Sequence, residues 1–225
     1  MRILISQKTI KDRHGAELDA LETAYIRFFR QESFVPDDAV FVPVPNNPEN
    51  ALRLVQTSGP GLVILTGGNN VDPRSFGSDV VLDDLAHNRD EVEKILFDYA
   101  LANAIPVLAV CRGFHYVNVL LQGKLTLNIK DHPPAVRHSC WYEGREYTVN
   151  SFHNHAIGMT DLAAGLVPLV TADKIGTVEA YVGRITGSSG ECSVLGVQWH
   201  PERPGADMEL FKMLIKNHLF QERAK

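Results

Sequence analysis

Runs of apolar residues alternate along the first half of the chain with stretches whose apolar positions recur every three or four residues, the pattern of parallel strands joined by helices. Residues 2–6 (RILIS) predict a buried strand, and residues 15–31 a helix carrying Leu18, Leu21, Ala24, Tyr25, Phe28 and Phe29 at helical spacing. Residues 39–45 predict a second strand, but Pro43 and Pro45 cannot donate to a ladder, which moves its end to an edge or a loop. A short helix near 48–57 leads into GLVILTGG at 61–68, a near-continuous apolar run ending in two glycines. That is the pattern of a central parallel strand opening into a backbone-rich loop. The next helix, 89–103, has Asp90, Glu91 and Glu93 in its first turn, where the macrodipole favours them, and its acidic start reads as a solvated N-terminus. IPVLAV at 105–110 predicts another buried strand running directly into Cys111, followed by a helix over 112–122.

The pattern changes after about residue 123, where strands are predicted at 146–150, 166–171, 177–182 and 192–198, with GSSG at 187–190 as a hairpin turn. An amphipathic helix over 206–220 closes the chain. The expected fold is α/β, a mostly parallel central sheet flanked by helices with additional antiparallel strands in the C-terminal half. No repeat, low-complexity tract or linker interrupts it, so one domain is expected over 1–225.

Composition narrows the class. The 225 residues are enough to bury roughly 70–75% of the unfolded surface in a core. A net charge of −5 leaves no broad basic face for nucleic acid or an acidic membrane, and neither partner is expected. Cys111, Cys140 and Cys192 are too few for a disulfide framework, which suits a reducing cytosol. The opening MRILISQKTI is too short in apolar residues for a signal-peptide core, and no run approaches the ~20 residues of a membrane span, so a cytoplasmic protein is expected.

Three segments can carry chemistry. Cys111 sits between an apolar strand and a helix, with the small Ala109 and Gly113 two residues to either side. A nucleophile on such a strand-to-helix turn lies at the sheet's C-terminal edge beside a helix N-terminus that favours a thiolate, although a free cysteine is equally a buried apolar residue. GVQWHPE at 196–202 offers a base: His200 and Glu202 are two apart, Pro201 keeps the segment extended, and both side chains then face one way, as a surface pair also would. TGGNNVD at 66–72 could present backbone N–H groups to an oxyanion, or form only a turn, and it lacks nucleotide-loop spacing.

Together with RDEVE at 89–93, IPVLAVCRGFHYVNVLLQGKL at 105–125 and VNSFHNHAI at 149–157, these motifs resemble the class I (triad) glutamine amidotransferases. Within that superfamily the chain is similar to the γ-glutamyl hydrolase group (peptidase C26), typified by γ-glutamyl-γ-aminobutyrate hydrolase. The resemblance implies a glutamine amidotransferase-like fold, Cys111 as nucleophile, His200 as general base and acid, Glu202 as the orienting carboxylate, and an oxyanion hole from the backbone N–H groups of Gly68 and Arg112. The expected reaction is hydrolysis of a γ-glutamyl amide through a γ-glutamyl thioester on Cys111, with no metal and no cofactor. Around it the resemblance places Gly67, His115, Ser151, Phe152, His153 and His155 near the glutamyl pocket.

Some positions depart from the family. Ala109 replaces a glycine, and His115 and His155 stand where the family has glutamines, so donor recognition differs or the imidazoles are neutral replacements for the amide hydrogen bonds. SQK, GAELDALETAYIRFF and FVPVPN look closest to a bacterial branch that includes hydrolases of γ-glutamyl-CDP-amidate in capsule phosphoramidate synthesis. The alternatives are a glutaminase subunit delivering ammonia to a separate synthase, since no synthase domain follows up to Lys225, a γ-glutamyl-γ-aminobutyrate hydrolase of polyamine catabolism, and a non-catalytic binding protein. A synthase partner belongs only to the first of these, and a homodimer stays open. His132, His138, Cys140, His153 and His155 lack zinc-site spacing and read as pocket or loop residues. Arg89 could pair with a substrate carboxylate, or with a neighbouring acid.

Overall fold

The RILIS run forms strand β1 (Arg2–Ser6) and is buried beyond its first residue. A two-stranded hairpin follows, β2 (Lys8–Lys11) with β3 (Glu17–Ala20), and then helix α1 (Thr23–Gln31). The remaining elements of the first half are β4 (Val40–Val44), α2 (Pro48–Ser58), β5 (Leu62–Leu65), α3 (His87–Ala102), β6 (Val107–Val110) and α4 (Arg112–Leu120). The second half holds β7 (Val136–Tyr142), β8 (Arg145–Ser151), β9 (Ile157–Gly158), β10 (Leu166–Ala172), β11 (Thr177–Gly187), β12 (Gly190–Val197) and α5 (Met208–Leu214), which continues as a π-helical turn to Leu219. This computed structural model describes residues 1–129, 135–172 and 176–220. No helix among them is long and apolar enough to cross a membrane.

One large sheet runs in the order β4-β1-β5-β6-β12-β11-β10-β7-β8. Its first part is parallel, and from β12 onward the neighbours are antiparallel. The parallel strands read as continuous apolar runs because both faces are covered. Alternation sends Ile3, Ile5, Leu62, Ile64, Leu108 and Val110 to a core shared with Phe28, Phe29, Phe211 and Trp199. Leu4, Val63, Leu65, Val107 and Ala109 face the opposite core with Val55, Leu96, Phe97, Phe114 and Val117. β4 pairs with β1 alone, so Pro43 sits on an edge strand as its missing N–H requires. The GSSG turn closes β11 on β12, with Gly187 opposite Gly190.

Three expectations are corrected. The helix predicted over 15–31 begins only at Thr23, because the Asp12 carboxylate accepts from the N–H groups of His14 (2.8 Å) and Ala16 (2.9 Å), and Gly15 turns the chain at φ +84°. The Leu18 position that matched a helical face is on β3 and half exposed. Helix α3 starts at His87, which puts Glu93 in its second turn and fully buried; of the acidic start, Glu91 is exposed as expected, while Asp90 is half-buried and bonded to Arg112. The strand β7 answers to no predicted element; its burial alternates only toward its end, where Cys140 and Tyr142 turn inward.

Candidate active site

The parallel strands β1, β5, β6 and β12 all release their chain at one edge, and the residues that follow them meet there. Cys111 leaves β6 with φ 51° and ψ −101°, a backbone conformation costly for any side chain. It is held by its N–H, which donates to Val197 O at 2.8 Å, and by the close seating of α4 against β5. A Cβ on Gly113 would stand 2.4 Å from Leu65 O, so the small residue after the cysteine is a packing requirement. Ala109 is fully buried, in register with Leu65 on one side and Gly196 on the other.

His200 follows β12, and its ring and Cys111 come together against Gly67, where the sulfur acts on the imidazole. Its Nδ1 faces Glu202 Oε1 at 2.6 Å, so Nδ1–H donates to the carboxylate and Nε2 is left for the sulfur. Both side chains are buried, at 3% and 0% exposure. Burial opposes a charge on His200, but the Cys111 sulfur and Glu202 outweigh it and raise its pKa to about 9. Gly67 lies against the pair: a Cβ there would fall 2.6 Å from His200 Cε1 and 3.5 Å from Cys111 Cβ. Phe152 sets its ring edge-on to His200 at 5.7 Å and lies under the Arg203 guanidinium at 4.6 Å.

Behind this edge is a buried ionic network. Arg89 donates from Nε to Glu93 Oε1 (2.9 Å) and from Nη2 to Thr66 O (2.8 Å) and Gly67 O (3.0 Å). Arg112 bonds Glu93 Oε2 and Asp90 and stacks over Tyr116 at 4.5 Å. Ser6 donates to Glu93 at 2.7 Å. Of the two readings for Arg89, the structure takes the internal ion pair. The Tyr25 hydroxyl accepts from Gly67 N–H at 3.0 Å, and burial together with the nearby Glu202 and Cys111 charges holds it protonated far above its usual range.

The candidate pocket histidines are engaged within the protein. His115 donates from Nε2 to Gln198 Oε1 at 2.6 Å, and burial, aided by the neighbouring histidines, lowers its pKa to about 3. His155 accepts from Asn128 N–H through Nδ1 (3.1 Å) and so donates from Nε2 to Asn70 Oδ1 (3.2 Å). His153 Nδ1–H donates to His155 O at 2.9 Å. Ser151 ends β8, fully buried, and its carbonyl accepts from Ala135 N–H at 2.7 Å. These contacts favour the neutral-replacement reading of His115 and His155. Among the described residues no group of His, Cys, Asp and Glu has the arrangement of a metal site, and His132 lies outside them.

Sequence reasoning missed two supporting residues. Tyr25 was visible only as one of the apolar positions of α1, although a hydroxyl on a face otherwise made of phenylalanine is a signal for a buried polar partner. Asn150 accepts from His200 N–H (2.9 Å) and donates to His200 O (2.8 Å), and nothing in its spacing announces that contact.

The sheet order and the elbow cysteine define the fold of the class I glutamine amidotransferases. A Thermoplasma acidophilum protein whose structure is provisionally assigned to GMP synthase shares that fold, with a TM-score of 0.61 at 16% identity over 96% of this chain and 92% of its own. The chain belongs to the peptidase C26 family, whose model matches residues 3–146 and 138–202. A Mycobacterium tuberculosis protein provisionally named a glutamine amidotransferase is 31% identical over 77% of this chain and 60% of its own length. The γ-glutamyl-CDP-amidate hydrolase of Campylobacter jejuni is 33% identical over 63% of this chain and 62% of its own. These matches therefore span about three-fifths of either relative.

Proposed function

We propose that the protein hydrolyses γ-glutamyl amides by covalent catalysis at Cys111. The observation that carries this reading is the chain of contacts from the strained Cys111 turn through His200 to the buried Glu202. The Cys111 thiolate attacks the γ-carbonyl carbon, and the carbonyl oxygen becomes an oxyanion facing the N–H groups of Gly68 and Arg112. The C–N bond breaks as His200 gives its Nε2 proton to the departing amine, leaving a γ-glutamyl thioester. His200 then takes a proton from water, the hydroxide oxygen attacks the thioester carbon, and the thiolate leaves as glutamate forms. Glu202 holds the imidazole in the required tautomer and stabilises its charge.

For the group on the other side of the bond we propose a cytidine-diphosphate amidate, as in capsule phosphoramidate synthesis. Support comes from the resemblance to the Campylobacter jejuni hydrolase. A chain whose three cysteines are all free and buried suits a reducing cytoplasm. The test is glutamate release from a panel of γ-glutamyl-CDP-amidate, γ-glutamyl-γ-aminobutyrate, other γ-glutamyl amines and free glutamine. Turnover of the CDP-amidate with complete loss in Cys111→Ala is expected. Full activity in Cys111→Ala overturns the mechanism, and a preference for another amine overturns the substrate.

A further inference from the structure

An oxyanion donor helps only if it already faces the site when charge develops. A Gly-Gly peptide is the least constrained of all, since glycine adopts either sign of φ and the plane between two glycines can flip. Here that plane is held through its own carbonyl, and the Thr66–Gly67 peptide before it is held at both its polar atoms, by side chains outside the proposed triad. The Gly67 carbonyl accepts from Arg89 Nη2 at 3.0 Å, the Thr66 carbonyl accepts from the same nitrogen at 2.8 Å, and Gly67 N–H donates to the Tyr25 hydroxyl at 3.0 Å. The peptide is trans, so with its carbonyl fixed on Arg89 the Gly68 N–H must point away from the guanidinium. Gly68 itself has φ +120°, and a Cβ there would meet Arg89 Nη1 at 2.7 Å, so the guanidinium lies directly against the loop.

Arg89 is in turn fixed by Glu93 and by Asn69 Oδ1 at 3.2 Å, and Arg89 and Glu93 are both fully buried. The second oxygen of Glu93 takes Arg112, the residue after the nucleophile. Resting on the function proposed above, we propose that Arg89 is a positioning residue. It sets the Gly67–Gly68 peptide with the Gly68 N–H toward Cys111 and, through Glu93, fixes that donor relative to the N–H of Arg112.

Arg89→Lys keeps a cation beside Glu93 but cannot reach three acceptors in fixed directions. Expected is a fall in kcat for γ-glutamyl amide hydrolysis on the order of 10²-fold or more, with KM nearly unchanged. Alkylation of Cys111 by iodoacetamide needs the thiolate but no oxyanion hole, so its rate and pH profile should match the wild type. Unchanged kcat overturns the proposal, and so does a parallel loss of hydrolysis and alkylation, which would mean general disruption of the site. Should Arg89→Lys not fold, Arg89→Gln, which is shorter and has a single amide nitrogen to donate, is judged by the same comparison with the same fall in kcat expected. A crystal structure of the folded variant reads the peptide directly: a turned or mixed Gly67–Gly68 plane is expected, and an unmoved one overturns the proposal. That readout holds even if the wild type hydrolyses no γ-glutamyl amide, an outcome that defeats the proposed function alone.

Discussion

His115 shows how one side chain ties the site to the stability of the protein. Its imidazole is buried, donates to Gln198, and has a pKa lowered to about 3, so it stays neutral in the folded state while the unfolded chain titrates near 6.5. As pH falls below 6.5 the unfolded state takes up a proton that the folded state refuses, and stability is lost progressively down to about pH 3. By pH 5 the loss from this one group is on the order of 2 kcal/mol. His115→Gln removes the titration and keeps an amide able to donate to Gln198. Urea denaturation at pH 7.5 and pH 5 should therefore show the variant gaining on the wild type by about that amount. Parallel losses in the two proteins would mean that His115 is protonated in the fold. His200 has the opposite sign: its contribution is complete below 6.5 and disappears as pH rises through about 9. The two histidines therefore pull the pH range of maximum stability from opposite sides.

At the level of elements, the nucleophile turn depends on how closely α4 lies on β5. An alanine in a helix is normally favoured over glycine by about 1 kcal/mol. At Gly113 the sign should reverse, because the new methyl would lie 2.4 Å from the Leu65 carbonyl oxygen, a backbone atom that cannot swing aside. Gly113→Ala is expected to cost about 1–3 kcal/mol in thermal or urea denaturation, whereas Ala109→Gly on β6 should cost about 1 kcal/mol or less. A stabilised Gly113→Ala would show that the helix can slide outward and that the turn is not fixed by this contact. The same contrast explains what was legible in the sequence. Cys111, His200 and Glu202 follow strands that end in buried, mostly apolar residues, the run a parallel strand covered on both faces leaves in a sequence. The β2–β3 hairpin was illegible because its inward-facing residues are scarcely buried: Leu18 is 47% exposed and Ile10 40%, so their spacing reflects no core. Asp12 and Gly15, the residues that make the turn, were the readable signal there. Of the network of Arg89, Glu93 and Arg112, only the pairing of Arg89 with a neighbouring acid was legible; its burial was not, because charges in a helix's first turns look solvated until the neighbouring strand is known to end against them.

Across the whole molecule, β8 is the last strand in the sheet order, four places from β12, yet its Asn150 reaches the loop that follows β12. The antiparallel part must therefore curl back over the site. Its ladder is irregular at β10, whose register shifts around Val170 and which among the described residues meets β7 through the pair Thr171 and Trp141. What holds the β7–β8 hairpin in place is side-chain contact. Cys140, Tyr142, Tyr147 and Val149 join the core that contains Trp199 and Phe211, and Asn150 fastens the polar end. The amide of Asn150 accepts from His200 N–H and donates toward His200 O (2.8 Å), Pro204 O (3.2 Å) and Arg203 O (3.3 Å), so one side chain satisfies the backbone on both sides of Glu202. Asn150→Ala leaves the buried His200 N–H without its acceptor, at a cost of about 1–3 kcal/mol. It also frees the His200–Glu202 segment to shift relative to Cys111, and a displacement of even ~1 Å there is enough to lower kcat on the order of 10²-fold. If the hairpin depends on this anchor, hydrogen exchange in Asn150→Ala should speed up along Val136–Ser151 while β1, β5 and β6 keep their protection. Unchanged exchange in the hairpin, or a uniform rise across the parallel strands, would show that the two halves of the sheet are joined by something other than Asn150.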